Sequence, residues 1–241
     1  AIGGKETIFL YDPTSVELSS ALVGSLEDDL KVAIQFIDVD GIKENRPSET
    51  INGTQVYFYN STKSEGTTER DLAEIGIGDL ENGVSAMVSI TELAGETTVL
   101  VGAKRYFETV GATDNYQERA TGTFGYGGLT TVFGVEGSYT TETASMTVNF
   151  EQSSGTFNAT NFTPDEDAAP KTITIENVLS LDNSTGFISS TSGTLTVGTE
   201  SGSIAVNGVL SENNDAVAGV LVPTDGVDGI IGGLFVLPQN P

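Results

Sequence analysis

Hydrophobic and polar positions alternate along the second half of the chain. In 143–150, Ala144, Met146, Val148 and Phe150 alternate with Thr143, Ser145, Thr147 and Asn149. A period of two over eight residues is the mark of a half-buried strand. In 131–139, Phe133, Val135, Gly137 and Tyr139 share one face; in 203–210, Ile204, Val206, Gly208 and Leu210 do so; in 171–181, Ile173, Ile175, Leu179 and Leu181 do, interrupted by Asn177. With 120–126, 154–162, 215–222 and 229–237 the pattern predicts eight strands. Turn residues separate them at Gly127-Gly128, 140–142, 152–154, 213–215 and 225–229. The stretch 182–202, rich in Ser, Thr and Gly, reads as an insertion, either a short extra hairpin or a long loop, and 163–170 as a second, acidic loop.

Glycine recurs inside these runs with an apolar residue two positions on: Gly122/Phe124, Gly155/Phe157, Gly193/Leu195, Gly208/Leu210, Gly219/Leu221 and Gly233/Phe235. Glycine weakens a strand, so its repetition needs a reason. The coiling of a small closed barrel, with bulges and close backbone approach, supplies one. The expected fold is mainly β: an eight-stranded antiparallel β-barrel at the C-terminus, preceded by a smaller β-rich domain with one or two short helices. A β-sandwich is the alternative that periodicity leaves open.

The first half is less regular. Strands are expected at 7–11, 31–39, 55–60, 83–91 and 97–107. A helix is expected at 14–31, where Leu18, Leu22, Leu26 and Leu30 fall four apart, and a helical turn at 68–75. Segments 46–53 and 61–68 read as loops, the latter mobile, and 93–96 reads as a hairpin loop. A polar stretch, 108–119, joins the halves. It places a boundary near Asn115, giving domains 1–115 and 116–241.

Composition narrows the chemistry. The 241 residues contain no Cys and no His. That removes disulfides, thiolate metal sites, the usual base of a serine triad and the commonest zinc or haem ligand. Any haem ligation would fall to Tyr, Met87 or Met146. With 34 acids against 10 bases the net charge is −24. Within 120–241 the only base is Lys171. Binding to nucleic-acid backbones or anionic lipid is disfavoured. The charge itself reads first as a solubility device and second as attraction to a basic partner. No apolar run approaches the ~18 residues of a spanning helix. Nucleotide loops, serine-hydrolase elbows and Ser-x-x-Lys dyads are absent from the sequence. Asp38-Val-Asp-Gly41 with Glu44 lacks calcium-loop spacing and reads as a turn. Five Asn-x-Ser/Thr triplets, at Asn52, Asn60, Asn158, Asn161 and Asn183, bear on function only in a secretory, glycosylating source.

The order Ala120-Thr-Gly-Thr-Phe124, Gly137, Met146-Thr-Val-Asn-Phe150 and Ser154-Gly-Thr-Phe157 resembles the first half of the barrel of bacterial transferrin-binding-protein-B-like (TbpB-like) surface lipoproteins. Val206-Asn-Gly-Val-Leu210, Ala218-Gly-Val-Leu221 and Ile231-Gly-Gly-Leu-Phe235 are similar to that family's closing strands. The resemblance covers the last half of the chain. It implies a handle-like domain before the barrel, a place on the outer membrane surface or outside the cell, and no enzymatic activity. It also implies capture of a host protein, haem or another nutrient through loops, with no resident cofactor. Such lipoproteins begin at a lipidated Cys. None is present here, so the expectation is a trimmed anchor or a released protein.

Aromatic side chains near strand ends are the candidate ligand contacts: Tyr57, Tyr59, Tyr106 and Tyr126. No metal ligands are expected. The partner class is a protein or small nutrient, and nucleic acid is excluded. Two other readings stay open. One is a structural or adhesive surface module without a small ligand. The other is a carboxylate-based hydrolase, which needs two acids ~5–10 Å apart in a cleft.

Overall fold

A computed structural model describes residues 7–11, 48–51, 53–65, 68–77, 83–93, 96–105, 116–134, 136–165, 168–190 and 193–241. The expected helix at 14–31 and strand at 31–39 lie outside the described residues. Everything regular within them is β: an eight-stranded closed antiparallel barrel and a separate six-stranded sheet.

The sheet is built from β1 (Thr7–Tyr11), β2 (Ser48–Ile51), β3 (Thr54–Glu65), β4 (Thr68–Ile77), β5 (Val84–Leu93) and β6 (Glu96–Arg105), in the order β1-β6-β5-β4-β3-β2. The expected strands 7–11, 55–60 and 83–91, and the described part of 97–107, correspond to β1, β3, β5 and β6. The helical turn at 68–75 is instead the body of β4, paired along its whole length with β3 and β5. The loops at 46–53 and 61–68 are also corrected: the first contains β2, and the second belongs largely to β3 and β4. Tertiary pairing overrides weak local propensity here, because each backbone group gains a ladder partner.

The barrel comprises β7 (Thr123–Gly134), β8 (Gly137–Asn149), β9 (Ser154–Ala159), β11 (Ile173–Asp182), β14 (Glu200–Leu210), β15 (Ala216–Pro223) and β16 (Ile230–Pro238), with β12 (Phe187–Ser190) and β13 (Gly193–Val197) together occupying one position in the ring. Both β12 and β13 pair with β11 on one side and β14 on the other. The ring closes where β16 pairs with β7. A two-residue strand, β10 (Thr163–Pro164), lies along β8.

Eight was the expected number, but three of the eight differ. Gly127-Gly128 is not a turn; it lies inside β7 beside a bulge at Gly128/Thr130. Residues 140–142 run through β8. Three expected short strands are therefore two long ones, joined near Glu136. The missing strand comes from 182–202, which is no insertion but the β12–β13 position.

Two apolar bodies result. Inside the barrel lie Tyr126, Tyr139, Met146, Phe150, Phe157 and Phe235 among aliphatic residues. Outside it, Val56, Ile75, Ile77, Val84, Ala86, Val101 and Ala103 of the sheet pack on Leu129, Val209, Ala216, Ala218, Val220, Val222, Leu234 and Val236 of the barrel wall. Hence β15 is buried at every position, while β11 alternates buried and open. A strand covered on both faces reads as a continuous apolar run, and 216–222 and 230–237 are such runs.

The Gly-x-apolar pattern acquires a reason in the interior. Phe235 lies opposite Gly219, which lies opposite Gly208. A Cβ on Gly219 would sit 2.2 Å from the Phe235 ring. Glycine vacates the volume that the phenyl ring fills, and small-beside-large packing fits side chains to a narrow barrel.

Candidate functional site

The two ends of the barrel differ. One end, where β7 begins, is strapped by residues 116–122. The strap is held by backbone hydrogen bonds from Gln117 N to Glu212 O (2.9 Å) and from Phe150 N to Gly122 O (2.9 Å). Asn183 Nδ2 donates to Arg119 O, and the Arg119 guanidinium lies 4.2 Å from the Phe124 ring centre. Asn214, in the β14–β15 loop, is the hub. Its Oδ1 accepts from the Tyr116 hydroxyl (2.6 Å), its carbonyl from the Tyr126 hydroxyl (2.9 Å), and its Nδ2 donates to Gln117 O (2.6 Å). Asn214 adopts φ 62°, a left-handed conformation that Asn tolerates better than most residues.

Arg105, at the end of β6, reaches this hub from the sheet and is fully buried. Its Nη1 donates to Leu210 O (2.9 Å) and its Nη2 to Thr185 O (2.6 Å), and its guanidinium lies 4.7 Å from the Tyr116 ring centre. Burial pushes the Tyr116 hydroxyl up to about 12, opposed by the Arg105 and Arg119 guanidinia. Burial raises Tyr126 as well. At the β11–β12 turn, the Ser184 hydroxyl holds Asp182 below the usual carboxylate range.

The opposite end carries the loops. Lys171 ties three of them, with Nζ 2.6 Å from Glu136 and 2.8 Å from Asp228. The hydrogen bond to Asp228, followed by that to Glu136, raises the Lys171 pKa. Asp165 caps the neighbouring backbone: Oδ2 accepts from Ser138 N (2.9 Å) and Oγ (2.8 Å), and Oδ1 from Ala168 N (3.0 Å). Asp225 accepts from Ser203 N (3.3 Å), and Glu200 stands exposed at the β13–β14 turn. Five described carboxylates thus share this end with Lys171.

The four candidate tyrosines are not gathered in one place. Tyr126 is buried in the barrel beneath the strap. Tyr57 is buried on the face of β3 opposite Val56, with its ring over Gly76. Tyr59 lies on β3 opposite Glu74, and Tyr106 lies outside the described residues. Met87 and Met146 are buried, in the sheet and in the barrel core respectively. Among the described residues no three acidic side chains are grouped to hold a metal ion, and no helix is long and apolar enough to cross a membrane.

No protein-family model matches the chain, and no curated protein matches it. Among solved structures it is similar to intact Ap-TbpB, containing N and C lobes, with a TM-score of 0.46 and 10% identity over 80% of this chain and 41% of that one. It is also similar to a double mutant of the vaccine antigen transferrin binding protein B from Haemophilus parasuis Hp5, with a TM-score of 0.45 and 11% identity over 76% of this chain and 37% of that one. The chain therefore spans well under half the length of either.

Residue-level reading of the sequence missed Arg105 and Asn214. A signal for the first was present: Val99, Val101, Ala103 and Arg105 fall on one face of β6, so a lone cation ends an apolar stripe. Asn214 carried no signal beyond its turn, since its partners are about 90 residues away in sequence or more.

Proposed function

We propose that this chain is a non-enzymatic binding module, exposed at a cell surface or secreted, that captures a protein partner through loops on a rigid barrel. The observation that carries this reading is the barrel interior. Tyr126, Tyr139, Met146, Phe150, Phe157 and Phe235 are all fully buried there, so the barrel is packed with its own side chains and recognition falls to its outside. One end is occupied by the strap and the sheet's Arg105. At the loop end Glu136, Asp165, Glu200, Asp225 and Asp228 are exposed, and this carboxylate excess favours a partner with a basic face. In this reading 1–115 is the handle-like part and 116–241 the scaffold. Tyr59 and Tyr106 are partner contacts on the handle; Tyr57 and Tyr126 would have to shed the packing over them to touch a ligand. A lipid anchor preceding the chain would hold it at the outer membrane.

The test is native mass spectrometry of the protein isolated from its source, followed by titration of the retained partner against the parent and Glu200→Lys. Weaker, salt-sensitive binding to the variant supports the loop end. A small molecule retained within the barrel, or a protein partner indifferent to the charge reversal, overturns it.

A structural or adhesive role is the second reading, and one surface favours it. The wall away from the sheet exposes Thr143, Ser145, Thr147, Thr156, Asn158, Ser180 and Thr194 with Glu142, Glu176 and Val178. Hydroxyl and amide side chains outnumber the charges on this face in a strongly acidic chain.

A further inference from the structure

The contact between sheet and barrel wall has an unusual composition for something that must hold one orientation. Its fully buried members are Ala, Val, Ile and Leu, and the two phenyl rings packed against it, Phe133 and Phe187, are only partly buried at its margin. Apolar attraction is non-directional. Two β faces of short side chains are held together by it, while little opposes one sliding or turning on the other. Directional contacts must then fix the register.

We propose that Arg105 is that fixing element, a latch pin that locks the sheet in one orientation on the barrel. The guanidinium is a planar fork whose donors have fixed directions. Its two described hydrogen bonds go to carbonyls on different segments, Leu210 at the end of β14 and Thr185 in the β11–β12 turn. A lateral shift of the sheet cannot keep both. Gly186, at φ 71°, leaves the slot: a Cβ there would lie 2.5 Å from the Tyr116 ring and 2.8 Å from Arg105 Nη1. Tyr116 roofs the guanidinium, and its hydroxyl runs through Asn214 to Tyr126 inside the barrel. The pin is thereby seated in the barrel core rather than in a loose loop. Loosening the strap would release the sheet, so the strap end is the control point for the sheet's position.

The chain has no cysteine, so Thr50→Cys and Thr156→Cys place two spin labels, one on an exposed position of β2 and one on the exposed wall of β9. Pulsed electron resonance then reads the sheet–barrel separation in the intact chain. The parent gives one narrow distribution. Arg105→Met keeps the stem, removes every donor, and broadens the distribution roughly twofold. Val101→Ala, which trims only the apolar contact, lowers stability and leaves the width unchanged. An Arg105→Met width equal to the parent's overturns the proposal, as does equal broadening by Val101→Ala. If Arg105→Met does not fold, Arg105→Lys decides. It keeps the charge but not the fork, and an unbroadened distribution refutes the pin.

Discussion

The barrel interior and the sheet–wall contact are both apolar, yet they are built differently. The interior is filled by large rings seated against glycines, as Phe235 is against Gly219 and Gly208. Phe157 lies beside it, the ring centres 5.1 Å apart. The outer contact uses Ala86, Ala103, Ala216 and Ala218 with Val and Ile. A ring of strands encloses a volume and must be plugged by specific shapes. Two faces laid together need only thin, even cover, in keeping with the ~10 Å separation of packed sheets. Shape specificity therefore resides inside the barrel, and orientation of the sheet depends on a polar pin.

That contrast is open to mutation. Phe235→Ala leaves a cavity that Gly219 and Gly208 cannot fill, and costs about 3–5 kcal/mol in denaturant unfolding. A cost below that of an interface valine would erase the distinction. Ala218→Leu wedges the two faces apart and costs about 1–3 kcal/mol; a neutral result would show a gap where even cover is inferred. Val220→Ala removes two methyl groups from the contact, worth about 1–2 kcal/mol, with the m-value unchanged.

Tyr116→Phe deletes the hydroxyl bond to Asn214 and costs about 1 kcal/mol at neutral pH. It also has a pH signature. Because burial holds the folded Tyr116 pKa near 12 against an unfolded value of 10.0, the neutral phenol stabilises the fold fully below about pH 10, and that contribution is lost as pH rises toward 12. The parent therefore loses stability across that window more steeply than the phenylalanine variant, which equilibrium unfolding at several pH values measures. Parallel slopes would place the hydroxyl in water. The smallest effect is at the loop end: Glu200→Lys shifts stability by less than about 0.5 kcal/mol, so any loss of partner binding in that variant is not a folding defect.

Alternation made the 143–149 part of β8, β11, β14 and most of the sheet legible, because each buries one face against one body. The reading failed where that rule bends. Gly127-Gly128 looked like a turn since nothing in the residues distinguishes a bulge within a long strand from a hairpin. Residues 182–202 looked like an insertion, a short hairpin or a long loop, because the strand is split into β12 and β13 and its outer face beyond Phe187 is Ser and Thr. The apolar runs of β15 and β16 carried a message that alternation does not convey, namely that a second layer covers them. The junction joins Arg105 and Tyr116 to Asn214, which lies 98 residues beyond Tyr116, and no local pattern encodes that meeting.

Almost every neighbour in the ring is also a neighbour along the chain; the β7–β16 seam is the exception. Zipping up the meander brings together segments that are already close, with little loss of loop freedom at each step. The seam alone waits until the whole ribbon has curled. It is the place where an unfinished ring would expose an unpaired strand to another molecule, and where tension applied between Thr123 and Pro241 would part the molecule first.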